Sequence, residues 1–166
     1  RAHKNMKGLL TRGRQYITSL MKKGMIIEAD HMSDRSQQQA LEILNRYQYP
    51  MISGHSNFRE LRREANETGG GSKEARLKTE FTIYDSRVNE INNAGGMFGI
   101  MTQQNNIRTA TDCPVPNNAA GGSSSFAQAY WYLLQKTGGQ KGIAFGSDFN
   151  GFAPQIAPRF GTEAAY

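Results

Sequence analysis

Apolar residues along this chain fall into two alternating rhythms. Ile17, Leu20 and Met21 share one face of a predicted helix over residues 11–23, with Thr11 as its N-cap and Gly24 as its stop. The short run Met25-Ile-Ile-Glu-Ala29 has strand length. Ser33 can cap a second helix, in which Ala40, Leu41, Leu44 and Tyr47 recur at helical spacing, and Pro50 opens the strand Met51-Ile-Ser53. Leu77, Phe81, Tyr84, Val88 and Ile91 keep a four-three spacing that predicts a helix over 73–94, ended by Ala94-Gly-Gly96 and followed by the strand Met97–Met101. A polar loop covers 102–122. Ser123–Thr137 then reads as a helix stopped by Gly138-Gly139, and Gly142–Gly146 as a last strand.

Strict helix–strand alternation calls for right-handed crossovers and a parallel α/β sheet. Four β/α units are half of a (β/α)8 barrel, which typically needs about 250 residues. At 166 residues the chain is expected to be one domain, 1–166, and a piece of a larger protein. A small open doubly wound sheet is the structural rival, although the Rossmann glycine fingerprint is absent.

Charge changes this picture little. Lys+Arg 20 against Asp+Glu 14 gives +6, but the basic residues are spread over several predicted helices and alternate with acids, which argues against nucleic acid as a partner. No apolar run approaches the roughly 20 residues of a membrane span. The single cysteine, Cys113, allows no intrachain disulfide and suits the cytosol and the periplasm alike.

The candidate chemistry sits at strand ends. His31 follows the first predicted strand, His55 the second and Asp148 the last. Neutral imidazole and carboxylate together make a site for zinc or a similar divalent ion, and a β/α barrel gathers ligands from different strands on one rim. Asp30 and Asp34 flank His31, and one of them can fix the imidazole tautomer. Arg59, Arg62 and Arg63 lie just beyond His55, and one of them can hold a substrate carboxylate, the competing reading being a solvated helix face. Ser56 lacks a G-x-S-x-G elbow, which disfavours a serine hydrolase.

Five stretches carry a resemblance, in order and over nearly the whole chain. They are Gly8-Leu-Leu-Thr11, Gly24-Met-Ile-Ile-Glu-Ala-Asp-His31-Met-Ser-Asp34, Pro50-Met-Ile-Ser-Gly-His55-Ser, Ala94-Gly-Gly-Met97 and Gly146-Ser-Asp148-Phe-Asn-Gly151. Together they resemble the membrane dipeptidase (renal dipeptidase-like) family of the amidohydrolase superfamily. The resemblance implies a (β/α)8 barrel with a binuclear zinc site that hydrolyses dipeptides, the strands seen here being the fifth to eighth. It implies that His31 and His55 bind one zinc. Asp148 would bind the other and handle the proton of the attacking water. The family's His-x-Asp pair and bridging glutamate belong to earlier strands, so the chain is expected to supply only part of the site. Asp30 stands where many members carry Ser, and Asn150 where many carry Asp. The alternative is a non-catalytic fragment or scaffold that has lost the complete site. Two half barrels pairing as a homodimer would close the barrel.

Overall fold

The computed structural model describes residues 5–62, 82–105, 107, 114–117, 119–152 and 155–157. Helix α1 spans Thr11–Lys22, strand β1 Ile27–Glu28, helix α2 Asp34–Asn45 and strand β2 Met51–Ser56. After a 3-10 turn at Arg59–Leu61 come helix α3 (Asp85–Asn93), strand β3 (Phe98–Met101), helix α4 (Ser123–Thr137) and strand β4 (Ile143–Gly146). Every strand pair is parallel, and the order is β1-β2-β3-β4. A doubly wound sheet reverses its strand order at a switch point. An unreversed sequential order, with right-handed crossovers, is an arc of a β/α barrel with its helices on one face.

Local chemistry explains most boundaries. Ser33 caps α2 by accepting from the Ser36 N–H at 3.1 Å. Gly138 ends α4 in the left-handed conformation at φ 67°, as a C′ glycine does. Leu10, not Thr11, occupies the N-cap of α1 and makes no side-chain cap. The helix predicted over 73–94 is shorter at its visible start: Tyr84 is extended, Ile83 bridges Phe58, and α3 begins at Asp85. The part of that prediction before residue 82 lies outside the described residues, as do Arg63 and Cys113.

The core lies between the sheet and its helices. Ile27, Ala29, Met51, Phe98 and Ile100 from the strand segments meet Leu41, Leu44, Val88, Ile91 and Leu133. Tyr47, expected on the apolar face of α2, falls past its end and is exposed. Two arginines are buried beneath the rim. The Arg87 guanidinium donates to Gln38 Oε1 at 3.0 Å and to the Tyr84 hydroxyl at 2.8 Å, and pairs with Glu90. Arg59 stacks over the same Tyr84 ring at 4.7 Å and donates to the Thr82 carbonyl at 3.0 Å.

Strand β2 is irregular at its functional end. Ser53 pairs with Phe98 and Ser56 with Ile100, so three steps along β2 match two along β3. The extra residue is a β-bulge at Gly54–His55, a device that re-aims side chains beside active sites. It turns the Gly54 carbonyl toward Gly99 and Gly146, where an added Cβ would lie 2.1 and 1.9 Å from that oxygen.

Candidate metal centre

His31, His55 and Asp148 converge. One ligand-capable atom from each lies within 4.8 Å of the others. The two imidazoles meet Nε2 to Nε2 at 2.8 Å, with ring centroids 4.9 Å apart. His55 belongs to β2 itself, two residues beyond the predicted strand, whereas His31 and Asp148 stand just past their strands.

Both of these loop residues have left-handed backbones, His31 at φ 64° and Asp148 at φ 45°. Conformations of this kind cost a non-glycine residue of order 1 kcal/mol or more and gather at functional sites. At His31 the cause is visible. The Met32 N–H donates to the Ala29 carbonyl at 3.1 Å, closing a turn in which His31 takes the third position. Gln37, buried on α2, donates to the carbonyls of Ala29 (3.1 Å) and Met32 (3.2 Å) and ties the turn to the helix. Sequence reasoning missed Gln37, since a glutamine near a helix start gives no signal of that contact. The Asp148 turn is anchored through Ser147, whose carbonyl accepts from Gln155 at 3.2 Å and whose hydroxyl accepts from the Phe149 N–H at 3.2 Å.

The other face of His55 is lined by acid. Nδ1 lies 3.1 Å from Glu28 Oε1 and 3.3 Å from Asp30 Oδ2. Asp30 Oδ2 also accepts from the His55 backbone N–H at 2.9 Å, and Oδ1 accepts from the hydroxyls of Ser53 (2.6 Å) and Ser56 (2.8 Å). Burial pushes the Asp30 carboxyl up. The hydrogen bonds from Ser53, the His55 backbone and Ser56, with the attraction of His55, outweigh it and hold the group below the ordinary 3.8. A carboxyl depressed in the fold stabilises it above the unfolded value of about 3.9 and loses that contribution as pH falls through the folded pKa. Metal-free Asp30→Asn is therefore expected to be less stable than wild type at pH 7, with the gap closing toward pH 3. Urea unfolding at both pH values checks this, and an unchanging gap would refute it.

The donor set fits a borderline divalent ion. Carboxylates facing Nδ1 of His55 favour a proton there and leave Nε2 as the acceptor toward His31 Nε2, 2.8 Å away. Two imidazole nitrogens with a nearby carboxylate are ligands of the zinc type. Of the arginines read beyond His55, the two that are described, Arg59 and Arg62, make none of the contacts given for this cluster. Arg59 is buried, 3.6 Å from Asp34, against Tyr84. Arg62 sits in an antiparallel bridge with Ile107.

A family model described as membrane dipeptidase (peptidase family M19) matches residues 1–158. A search of curated proteins finds no match. Among solved structures, the dipeptidase AC, a metallopeptidase of family M19, superposes with a TM-score of 0.66 at 15% identity, over 92% of this chain and 38% of that one. A Rhodobacter sphaeroides metallopeptidase, liganded with a phosphinate mimic of the dipeptide L-Ala-D-Ala, gives 0.63 at 13% identity, over 92% and 37%. The probable dipeptidase PvdM from Pseudomonas aeruginosa gives 0.63 at 17%, over 89% and 44%. The chain thus spans less than half the length of these structures and shares their fold as a partial barrel.

Proposed function

From the premise that this chain belongs to the membrane dipeptidase family, peptidase family M19, we propose that it forms part of a metal-dependent hydrolase of dipeptide-like amide bonds. The observation that carries the reading is the convergence of His31, His55 and Asp148 on one rim. In it, His31 and His55 would hold one zinc ion, and Asp148 would offer its carboxylate to a second, with the remaining ligands supplied by other parts of the full-length protein. Zinc bound there supplies an acidified water and a Lewis acid for the scissile carbonyl. Asp148 accepts the proton of the attacking water and passes it to the leaving amine. Its turn, fixed through Ser147 and Gln155, keeps the carboxylate oriented for that transfer. The substrate is a small peptide.

The test is zinc titration of the chain by calorimetry, with dipeptide hydrolysis measured on the full-length protein. One zinc per chain and metal-dependent hydrolysis are expected. No uptake, or hydrolysis untouched by chelator, would overturn the reading and favour a scaffold that has lost its chemistry.

Both edges of the sheet are open among the described residues. Ile26 beside β1 and Phe145 on β4 are exposed at 66% and 74%. Unpaired apolar edges invite strand pairing. A twofold axis along the barrel would set β4 of one copy parallel to β1 of another and close the ring. Light scattering after size exclusion is expected to show a homodimer of the isolated chain that Phe145→Lys splits into monomers. A monomer at all concentrations would rule the pairing out.

A further inference from the structure

We propose that Asp30, seconded by Glu28, is the positioning residue that holds His55 in its Nδ1–H tautomer with the Nε2 lone pair facing His31. The proposal rests on the metal-hydrolase reading above.

An ionised carboxylate only accepts hydrogen bonds. Two of them within 3.3 Å of Nδ1 therefore leave the ring one neutral arrangement that satisfies all three groups, with the proton on Nδ1. Asp30 is the stronger holder because its own orientation is fixed. Three donors grip it: the Ser53 and Ser56 hydroxyls on one oxygen, the His55 backbone N–H on the other. The same Oδ2 faces both the backbone and the ring of His55, so one carboxylate sets where that residue sits and how its ring turns.

The placement along the chain adds a second effect. Ser53 and Ser56 flank the β2 bulge, and Asp30 spans it from the turn that carries His31. Asp30 thereby fixes the separation of the two ligand-bearing segments. Glu28 contributes less. Its side chain is 45% exposed and, among the described residues, pairs with the His55 ring alone. It occupies space left by Gly54, where an added Cβ would lie 2.8 Å from Glu28 Oε1.

The test reads the tautomer directly. Long-range proton–nitrogen NMR of the metal-free, ¹⁵N-labelled chain, above the imidazole titration range, is expected to show His55 protonated on Nδ1. Asp30→Asn places an amide donor within reach of Nδ1, so the Nε2–H form is expected to appear. Zinc affinity, read by chelator competition, should fall about 10–100-fold, the usual cost of removing such a partner. Glu28→Gln and Gly54→Ala should each move both readouts in the same direction but less. They do so even where Asp30→Asn fails to fold. An Nε2–H tautomer in the wild type would overturn the proposal. So would variants that fold and keep both the tautomer and the zinc affinity of the wild type. A wild-type chain that takes up no zinc sinks the hydrolase reading, while the tautomer measured without metal still decides this one.

Discussion

His55→Ala is expected to empty the metal centre, lowering zinc affinity by at least about 100-fold. Loss of a partner behind a ligand already costs 10–100-fold, and loss of the ligand itself costs more. His55 is the proposed ligand whose ring faces Glu28 and Asp30 on its other side, so its removal also leaves those two carboxylates without the imidazole between them. His31 needs a gentler substitution. Its backbone is left-handed at φ 64°, which asparagine tolerates and alanine does not. His31→Asn should keep the turn and lose the metal. Asp148→Asn should separate the two roles proposed for that residue. It keeps a side chain suited to φ 45°, retains the zinc held by the two histidines, and removes the base. In the full-length protein kcat is then expected to fall about 10²–10⁴-fold, the usual worth of a positioned acid–base group. Elemental analysis and steady-state kinetics on the three variants check this together. Wild-type zinc content in His55→Ala would remove the basis of the site. Wild-type kcat in Asp148→Asn would remove its proposed base.

The three ligand-type residues were legible because barrel geometry ties function to a sequence position. A polar residue just past a short apolar run is at the rim whatever its partners are. The bounds of α4 were legible for a similar reason, since Gly138 ends a helix through its own backbone freedom. What sequence spacing misread is instructive. Tyr84 continues the four-three pattern of Val88 and Ile91, yet it is extended. Its ring packs against the guanidinium groups of Arg59 and Arg87, a packing role that produces the same apolar spacing as a helix face. Arg87 is one of the basic residues spread over the predicted helices, a pattern that gives no sign that its side chain is among the most buried. The support behind His55 was out of reach: Asp30 and Asp34 were expected to serve their neighbour His31, whereas Asp30 faces His55 and Asp34 lies beside Arg59. It depends on contacts between β1, β2 and the turn after β1, and on a bulge that exists only relative to the register of β3.

That bulge makes the largest stability prediction. Gly54, Gly99 and Gly146 sit on three successive strands, and only the last two are bound by backbone. A Cβ at Gly99 or Gly146 would meet the Gly54 carbonyl oxygen at 2.1 or 1.9 Å, far inside any real contact. The oxygen cannot yield without undoing the bulge, because the next residue is His55, whose backbone N–H is held by Asp30. Overpacking of a well-packed site costs typically 1–3 kcal/mol where side chains can adjust, so a backbone clash is expected to reach about 3 kcal/mol or more. For a domain of this size that lowers Tm by roughly 6–12 °C. Two other glycines set the scale. Gly95 has nothing within 4 Å of an added Cβ, so Gly95→Ala should cost only the strain of its φ of 80°, about 1 kcal/mol. Gly54→Ala meets only the end of the Glu28 side chain, which can swing into solvent, and should cost less than about 1 kcal/mol. Thermal melts of the four alanine variants should therefore fall into two classes, with Gly99→Ala and Gly146→Ala far below the others. Both should also loosen zinc binding, since relieving the clash moves the Gly54 carbonyl and the histidine that follows it. Melting temperatures for these two within a few degrees of wild type would show that the bulge is not rigid, and that His55 is not held by the backbone packing described above.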